Sequence, residues 1–208
     1  MELLALAQEH PHRIVCLPLD VTEESQIASA AQQVRDSVDK IHLVLHCVGI
    51  LHEQNLSPEK SLRHVNSENL LRSFQVNSVS AALVAKHIAP LFDRNKRGIF
   101  ACVSAKVGSI GDNRLGGWYG YRASKAALNM FVKTISIEYR RRCPQTIVVA
   151  LHPGTTDTKL SEPFQHNVPP AQLFSVEHTV NLLSEVLGKL ELKDSGEFYS
   201  WNGNKLPW

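Results

Sequence analysis

The sequence predicts an α/β fold, a parallel sheet covered by helices on both faces. Two observations predict it. Short apolar runs alternate with amphipathic stretches of helical period almost from end to end, and the runs are continuously apolar, as strands buried on both faces require. Residues 14–19 read as a first strand. Asp20-Val21-Thr22 followed by Glu23 and Glu24 reads as a helix start, with acids where the dipole favours them, and Ile27, Ala31, Val34 and Val38 form that helix's buried stripe. Residues 41–45 read as a strand ending near Gly49. Residues 68–92 carry Leu70, Leu71, Phe74, Leu83, Val84, Ile88 and Leu91 at helical spacing and predict one long helix. A strand over 98–104, a glycine-rich link over 108–120, a helix over 121–141 and a strand over 146–151 follow, the last stopped by Pro153-Gly154. Pro163, Pro169 and Pro170 make 159–174 a loop over the sheet's edge, in the manner of a lid. A helix over 175–190 and a short strand over 197–201 complete the pattern.

A chain of 208 residues is long enough for one core and too short for two well-stocked ones, so residues 1–208 are expected to form a single domain. With 22 Lys+Arg against 20 Asp+Glu, the net charge of +2 creates no field for nucleic acid or an anionic membrane, and neither is expected as a partner. No apolar run approaches a membrane span. The start has no basic leader and no small-residue cleavage site, which predicts a cytoplasmic protein. Cys16, Cys47, Cys102 and Cys143 show no C-x-x-C spacing, and the first three lie in runs read as buried strands. Reduced core thiols are expected, in keeping with a reducing compartment.

The strongest chemical signal is Tyr121-Arg122-Ala123-Ser124-Lys125. Residues four apart share one helix face, so an ammonium stands beside a phenol. A phenol of ordinary pKa ~10 is a reluctant acid at neutral pH, and a neighbouring cation is expected to favour its phenolate. Such positioned proton transfer contributes ~10²–10⁴ in rate. On this spacing alone, a chance pair on a solvated face is the preferred explanation of the two residues.

Further residues reverse that preference. The stretch around Tyr121 and Lys125 resembles the active-site helix of the short-chain dehydrogenase/reductase family, closest to its C-factor-like carbonyl reductase branch. Leu17-Pro18-Leu19-Asp20-Val21-Thr22 resembles the family's strand-end aspartate motif, and His46-Cys47-Val48-Gly49 stands in the place of its N-N-A-G segment. Val76-Asn77-Ser78 matches the helix with the catalytic asparagine, and His152-Pro153-Gly154-Thr155-Thr156-Asp157-Thr158 matches the P-G-x-x-x-T segment. The ending, Trp201-Asn202-Gly203-Asn204-Lys205-Leu206-Pro207-Trp208, is similar to that branch too. The resemblance implies a Rossmann-like doubly wound parallel sheet, a bound NADP or NAD, a small-molecule carbonyl or alcohol as substrate, and a homodimer or higher homo-oligomer. It implies that Tyr121 moves the proton, that Lys125 tunes it and holds a ribose hydroxyl, and that Asn77 supports a water relay. Asp20, Val21, Cys47, Gly49, Pro153, Gly154 and Thr158 would join Tyr121 and Lys125 in holding the cofactor. Read locally, Asp20 is better explained as an N-cap, and Asn77 is equally a helix-interior amide satisfied by a carbonyl.

Three departures from the family pattern bear on this expectation. Counting three back from Gly108, the place of the catalytic serine holds Ala105, so the adjacent Ser104 or the nearby Ser109 becomes the candidate hydroxyl, with Ser104 taken as the site residue. His46 stands where asparagine is common; His42 and His46 share a strand face but lack a third metal ligand, so no metal is expected. All 11 glycines lie at Gly49 or later, so no G-x-x-x-G-x-G turn precedes the first strand. The implied fold is therefore N-terminally truncated, without its first two strands and phosphate loop. Those strands would stand between residues 14–19 and 41–45. The first strand must then shift, pair with another chain or lie elsewhere.

Overall fold

The computed structural model describes residues 2–208. Helix α1 (Glu2–Glu9) leads through a stretch of turns and irregular chain to α2 (Glu24–Ser37) and β1 (Leu43–His46). Next come α3 (Ser67–Phe74), a π-turn (Gln75–Val79), α4 (Ser80–Ile88) and β2 (Gly98–Val103). Helix α5 (Tyr119–Arg142), β3 (Thr146–His152), β4 (Thr155–Thr156), β5 (Leu173–Phe174), α6 (Val176–Lys189) and β6 (Glu197–Ser200) follow.

Four strands form a parallel sheet in the order β1-β2-β3-β6, in register at Leu45 with Ala101 and Cys102 with Ala150. One face carries Phe100, Cys102, Val148, Ala150 and Phe198 against Ala81 and Ala85 of α4 and Leu128, Val132 and Tyr139 of α5. The other carries Ile99, Ala101, Ile147, Val149 and Leu151 against Leu183, Val186 and Leu187 of α6. Burial on both faces explains the unbroken apolar runs of β2 and β3. Each fully buried Phe, Leu or Val contributes about 1.5–3 kcal/mol, so the sheet's centre is its most stable part. Its C-terminal return is tied down as well: Leu206 N–H donates to the Phe198 carbonyl, and the Trp208 ring stacks on Phe198 at 5.6 Å.

Several expectations need correction. Residues 14–19 belong to no helix or strand, and Val15 is 77% exposed. A strand exists only through its ladder, and among the described residues nothing pairs with the free edge of β1, where Leu43 and Leu45 stay exposed. The long helix over 68–92 is interrupted by the π-turn. There the Ser78 and Ser80 hydroxyls donate to the Phe74 and Val76 carbonyls at 2.7 and 2.6 Å, a back-bonding that bends helices. The lid is not irregular: it forms short 3₁₀ turns at Glu162–Asn167 and Pro170–Gln172, and β4 and β5 pair at its base. Cys102 and Cys143 are buried as free thiols, but Cys16 is only half-buried and Cys47 is exposed. Cys16 lies in the unpaired stretch, its thiol 3.8 Å from the Leu3 carbonyl of α1, and Cys47 lies just past the last paired residue of β1.

Candidate active site

The site gathers at the carboxyl ends of β1, β2 and β3, where open parallel sheets bind ligands. The π-turn turns Asn77 fully inward, with 0% exposure. Its carboxamide Nδ2 donates to the Ile50 carbonyl at 2.9 Å and to Ser124 Oγ at 3.0 Å, and its Oδ1 accepts from Ile50 N–H at 2.7 Å. One side chain thus clamps the segment after β1 to α5.

Helix α5 supplies Tyr121 and Lys125 on one face. The Lys125 ammonium lies 5.8 Å from the Tyr121 ring centroid and donates to the Val103 carbonyl, the last residue of β2, at 3.0 Å. Two glycines allow this closeness. A Cβ on Gly108 would lie 2.7 Å from Lys125 Cβ, and one on Gly49 would lie 3.2 Å from Lys125 Nζ and 3.3 Å from Asn77 Oδ1. Lys125 is buried, and burial brings its pKa down to about 8. Burial also pushes the Tyr121 phenol up to about 12. The sequence-based expectation of an acidified phenol is therefore corrected. The amine sits over the ring face and has its own charge disfavoured by burial, so desolvation of the phenolate prevails.

His46 is buried with Nε2 3.2 Å from Ser80 Oγ, and burial brings its pKa to about 4, so this imidazole is neutral. Among the described residues no three His, Cys, Asp or Glu side chains come close enough to hold a metal ion.

The structure brings together Asn77, Tyr121, Lys125 and Gly49, with Cys47 near enough to feel the Lys125 charge. Pro153 and Gly154 follow the end of β3. Gly154 has φ 78°, and a Cβ there would strike the Phe174 ring at 2.7 Å. Thr158 is exposed on the lid. Asp20 is exposed, its Oδ1 accepting from Thr22 N–H at 2.9 Å and Thr22 Oγ1 at 2.7 Å, contacts that lower its pKa. It is neither a strand-end residue nor the N-cap of α2, which is Glu23. Val21 is half-buried beside it. Ser104 is buried and its hydroxyl is already engaged, donating to Asn129 Oδ1 at 2.7 Å.

An aromatic cover lies beside Tyr121. Trp118 is 6.2 Å from the Tyr121 ring and 5.0 Å from Phe164 of the lid, which is 6.0 Å from His52. Phe174 does not join it, packing instead on Trp201 and His178. Ser124, on the same turn as Tyr121 and Lys125, is a partner that sequence reasoning passes over, although Y-x-x-S-K displays it. Glu59, which binds the start of α5, gives no sequence signal at all. A cavity of about 480 Å³ between α6 and β6, lined among others by Leu182, Tyr199 and Trp201, touches none of the site residues.

A parallel α/β sheet with a Tyr-Lys pair at its carboxyl ends defines a Rossmann-like oxidoreductase scaffold. Comparison with known proteins is specific: the family model for short chain dehydrogenases matches residues 1–169, and the chain belongs to that family. It is 32% identical over 149 residues to the C-signal protein of Myxococcus xanthus, covering 71% of this chain and 84% of that one. It is 28% identical over 188 residues to the 1-hydroxy-2-glutathionyl-2-methyl-3-butene dehydrogenase of a Rhodococcus strain, covering 88% of this chain and 78% of the other. The structure of NADPH-bound carbonyl reductase from chicken fatty liver superposes with a TM-score of 0.87 at 28% identity, over 100% of this chain and 82% of that one. No described helix is long and apolar enough to cross a membrane.

Proposed function

We propose that the protein is a cytoplasmic single-domain oxidoreductase that moves a hydride between NADP(H) or NAD(H) and a small-molecule carbonyl or alcohol. The observation that carries this reading is the Tyr121–Lys125 pair at the carboxyl ends of the strands. The residues present fit the nicotinamide and ribose end of such a cofactor: Gly49 has no side chain where a Cβ would crowd Lys125 Nζ at 3.2 Å, and Gly154 keeps the turn after β3 free of a side chain. In this reading Thr158 and the exposed residue Cys47 would join that half. No glycine before Gly49 offers a pyrophosphate turn.

The bound nicotinamide supplies or accepts the hydride at the substrate carbon. In the reducing direction the Tyr121 hydroxyl, protonated at neutral pH, gives its proton to the carbonyl oxygen as that oxygen gains charge. The Lys125 ammonium stabilises the phenolate left behind, which takes the proton back from an alcohol in the reverse direction. Asn77 holds the floor of the site by clamping Ile50 to Ser124. Trp118, Phe164 and His52 shield the reacting atoms from water.

A second reading, a weak or inactive homologue that acts through dimerisation or binding, draws support from Ala105 in the serine's place. A homodimer through the exposed sides of α3 and α5, where Leu71, Met130 and Ile137 are uncovered, suits both readings. Titrating NADPH or NADH while following Trp118 fluorescence separates them: quenching supports the reductase, and none at millimolar cofactor supports the second reading.

A further inference from the structure

We infer that Glu59 is a positioning residue for Tyr121, acting as a remote cap on helix α5. The residue before this helix, Trp118, has φ 52° and ψ 46°, the left-handed region that bulky side chains avoid, and its own side chain caps nothing. The first turn of α5 holds no acid. The missing partners come from Glu59, whose side chain is buried with 4% exposure. Its main-chain carbonyl accepts from Trp118 N–H, and its carboxylate Oε2 accepts from Gly120 N–H at 2.9 Å.

Two of the N–H groups that every helix start leaves open are thus satisfied by one residue far upstream. A carboxylate is also placed where the helix dipole favours negative charge. Gly120 is what admits it: a Cβ there would lie 2.9 Å from Glu59 Oε1 and 3.3 Å from Ser73 Oγ.

Arg122 fixes the turn from the other side. Its Nε donates to the Gly116 and Gly117 carbonyls at 3.1 and 3.0 Å, and its Nη1 donates to the Val107 carbonyl at 3.3 Å. Tyr121 lies between Gly120 and Arg122 in the chain, with the Trp118 ring edge-on to its own. Its phenol is aimed by these two anchors. Glu59 touches no reacting atom and works through the backbone of residues 118–120.

The test uses Glu59→Ala, Glu59→Gln and Gly120→Ala. Amide hydrogen exchange over the first turn of α5 reads the cap without any turnover. Loss of one hydrogen bond predicts exchange roughly fivefold faster in Glu59→Ala, and the amide oxygen of Glu59→Gln should restore most of the protection. Gly120→Ala, which displaces the carboxylate while keeping a good helix former, should exchange like Glu59→Ala. It also keeps the test decisive if Glu59→Ala does not fold.

The kinetic arm rests on the proposed reductase reading. There kcat should fall by up to ~10²-fold in Glu59→Ala and Gly120→Ala, with the KM for cofactor held and most of kcat recovered in Glu59→Gln. Wild-type protection in Gly120→Ala, or Glu59→Gln exchanging as fast as Glu59→Ala, would overturn the inference. A wild-type protein with no turnover overturns the reductase reading alone, because the exchange arm still decides the cap.

Discussion

Replacing Asn77 with alanine tests how the site is built. The carboxamide is wholly buried and makes three hydrogen bonds, two with the Ile50 backbone and one with Ser124. A net hydrogen bond is worth ~1 kcal/mol, and deletion strands partners that the fold has already desolvated. The Ile50 groups are only partly buried, so water recovers some of the loss, and the expected cost is about 3 kcal/mol. For a chain of this size that corresponds to a melting point lower by roughly 6–12 °C. Urea unfolding followed by circular dichroism should show an earlier midpoint with an unchanged slope, the sign of lost stability rather than a changed unfolded state. A cost below about 0.5 kcal/mol, the range of ordinary surface substitutions, would show that Asn77 does not clamp the segment after β1 to α5.

Other outcomes follow from the buried titratable groups. The folded pKa of Lys125, about 8, lies below the ordinary 10.5, so between these values the unfolded chain holds a proton that the folded chain has released. The penalty of burying that charge is complete below pH 8 and gone by pH 10.5. Lys125→Met should therefore gain stability over wild type most at neutral pH, with the gain shrinking as pH rises through that window; urea midpoints across pH measure it. His46 and His152 are both brought to about 4 by burial, from an ordinary 6.5. Each favours the fold above pH 6.5 and withdraws that support as pH falls toward 4, so His46→Asn should lessen the loss of thermal stability on acidification.

The strands at the sheet's centre were legible because burial on both faces writes itself as unbroken apolar runs, as at Ile99–Val103 and Ile147–Leu151. The Tyr121–Lys125 pair was legible because helical spacing is local. The stretch around Val15 was not, since the same apolar residues make a strand only when a neighbour offers its backbone. Glu59 was hidden for a related reason: its partner is 61 residues away, and no pattern near either end marks the bond. The phenol's raised pKa depends on how deeply the folded chain buries it. Spacing supplies the neighbouring charge and says nothing of the solvent removed.

The most direct measurement is the carbonyl-dependent oxidation of NADPH, followed by its absorbance, with wild type and Tyr121→Phe side by side. The account predicts turnover by wild type and a loss of ~10²–10⁴-fold in the phenylalanine variant at unchanged melting temperature. Equal turnover by the two proteins, or none by wild type while it demonstrably binds NADPH, would contradict it.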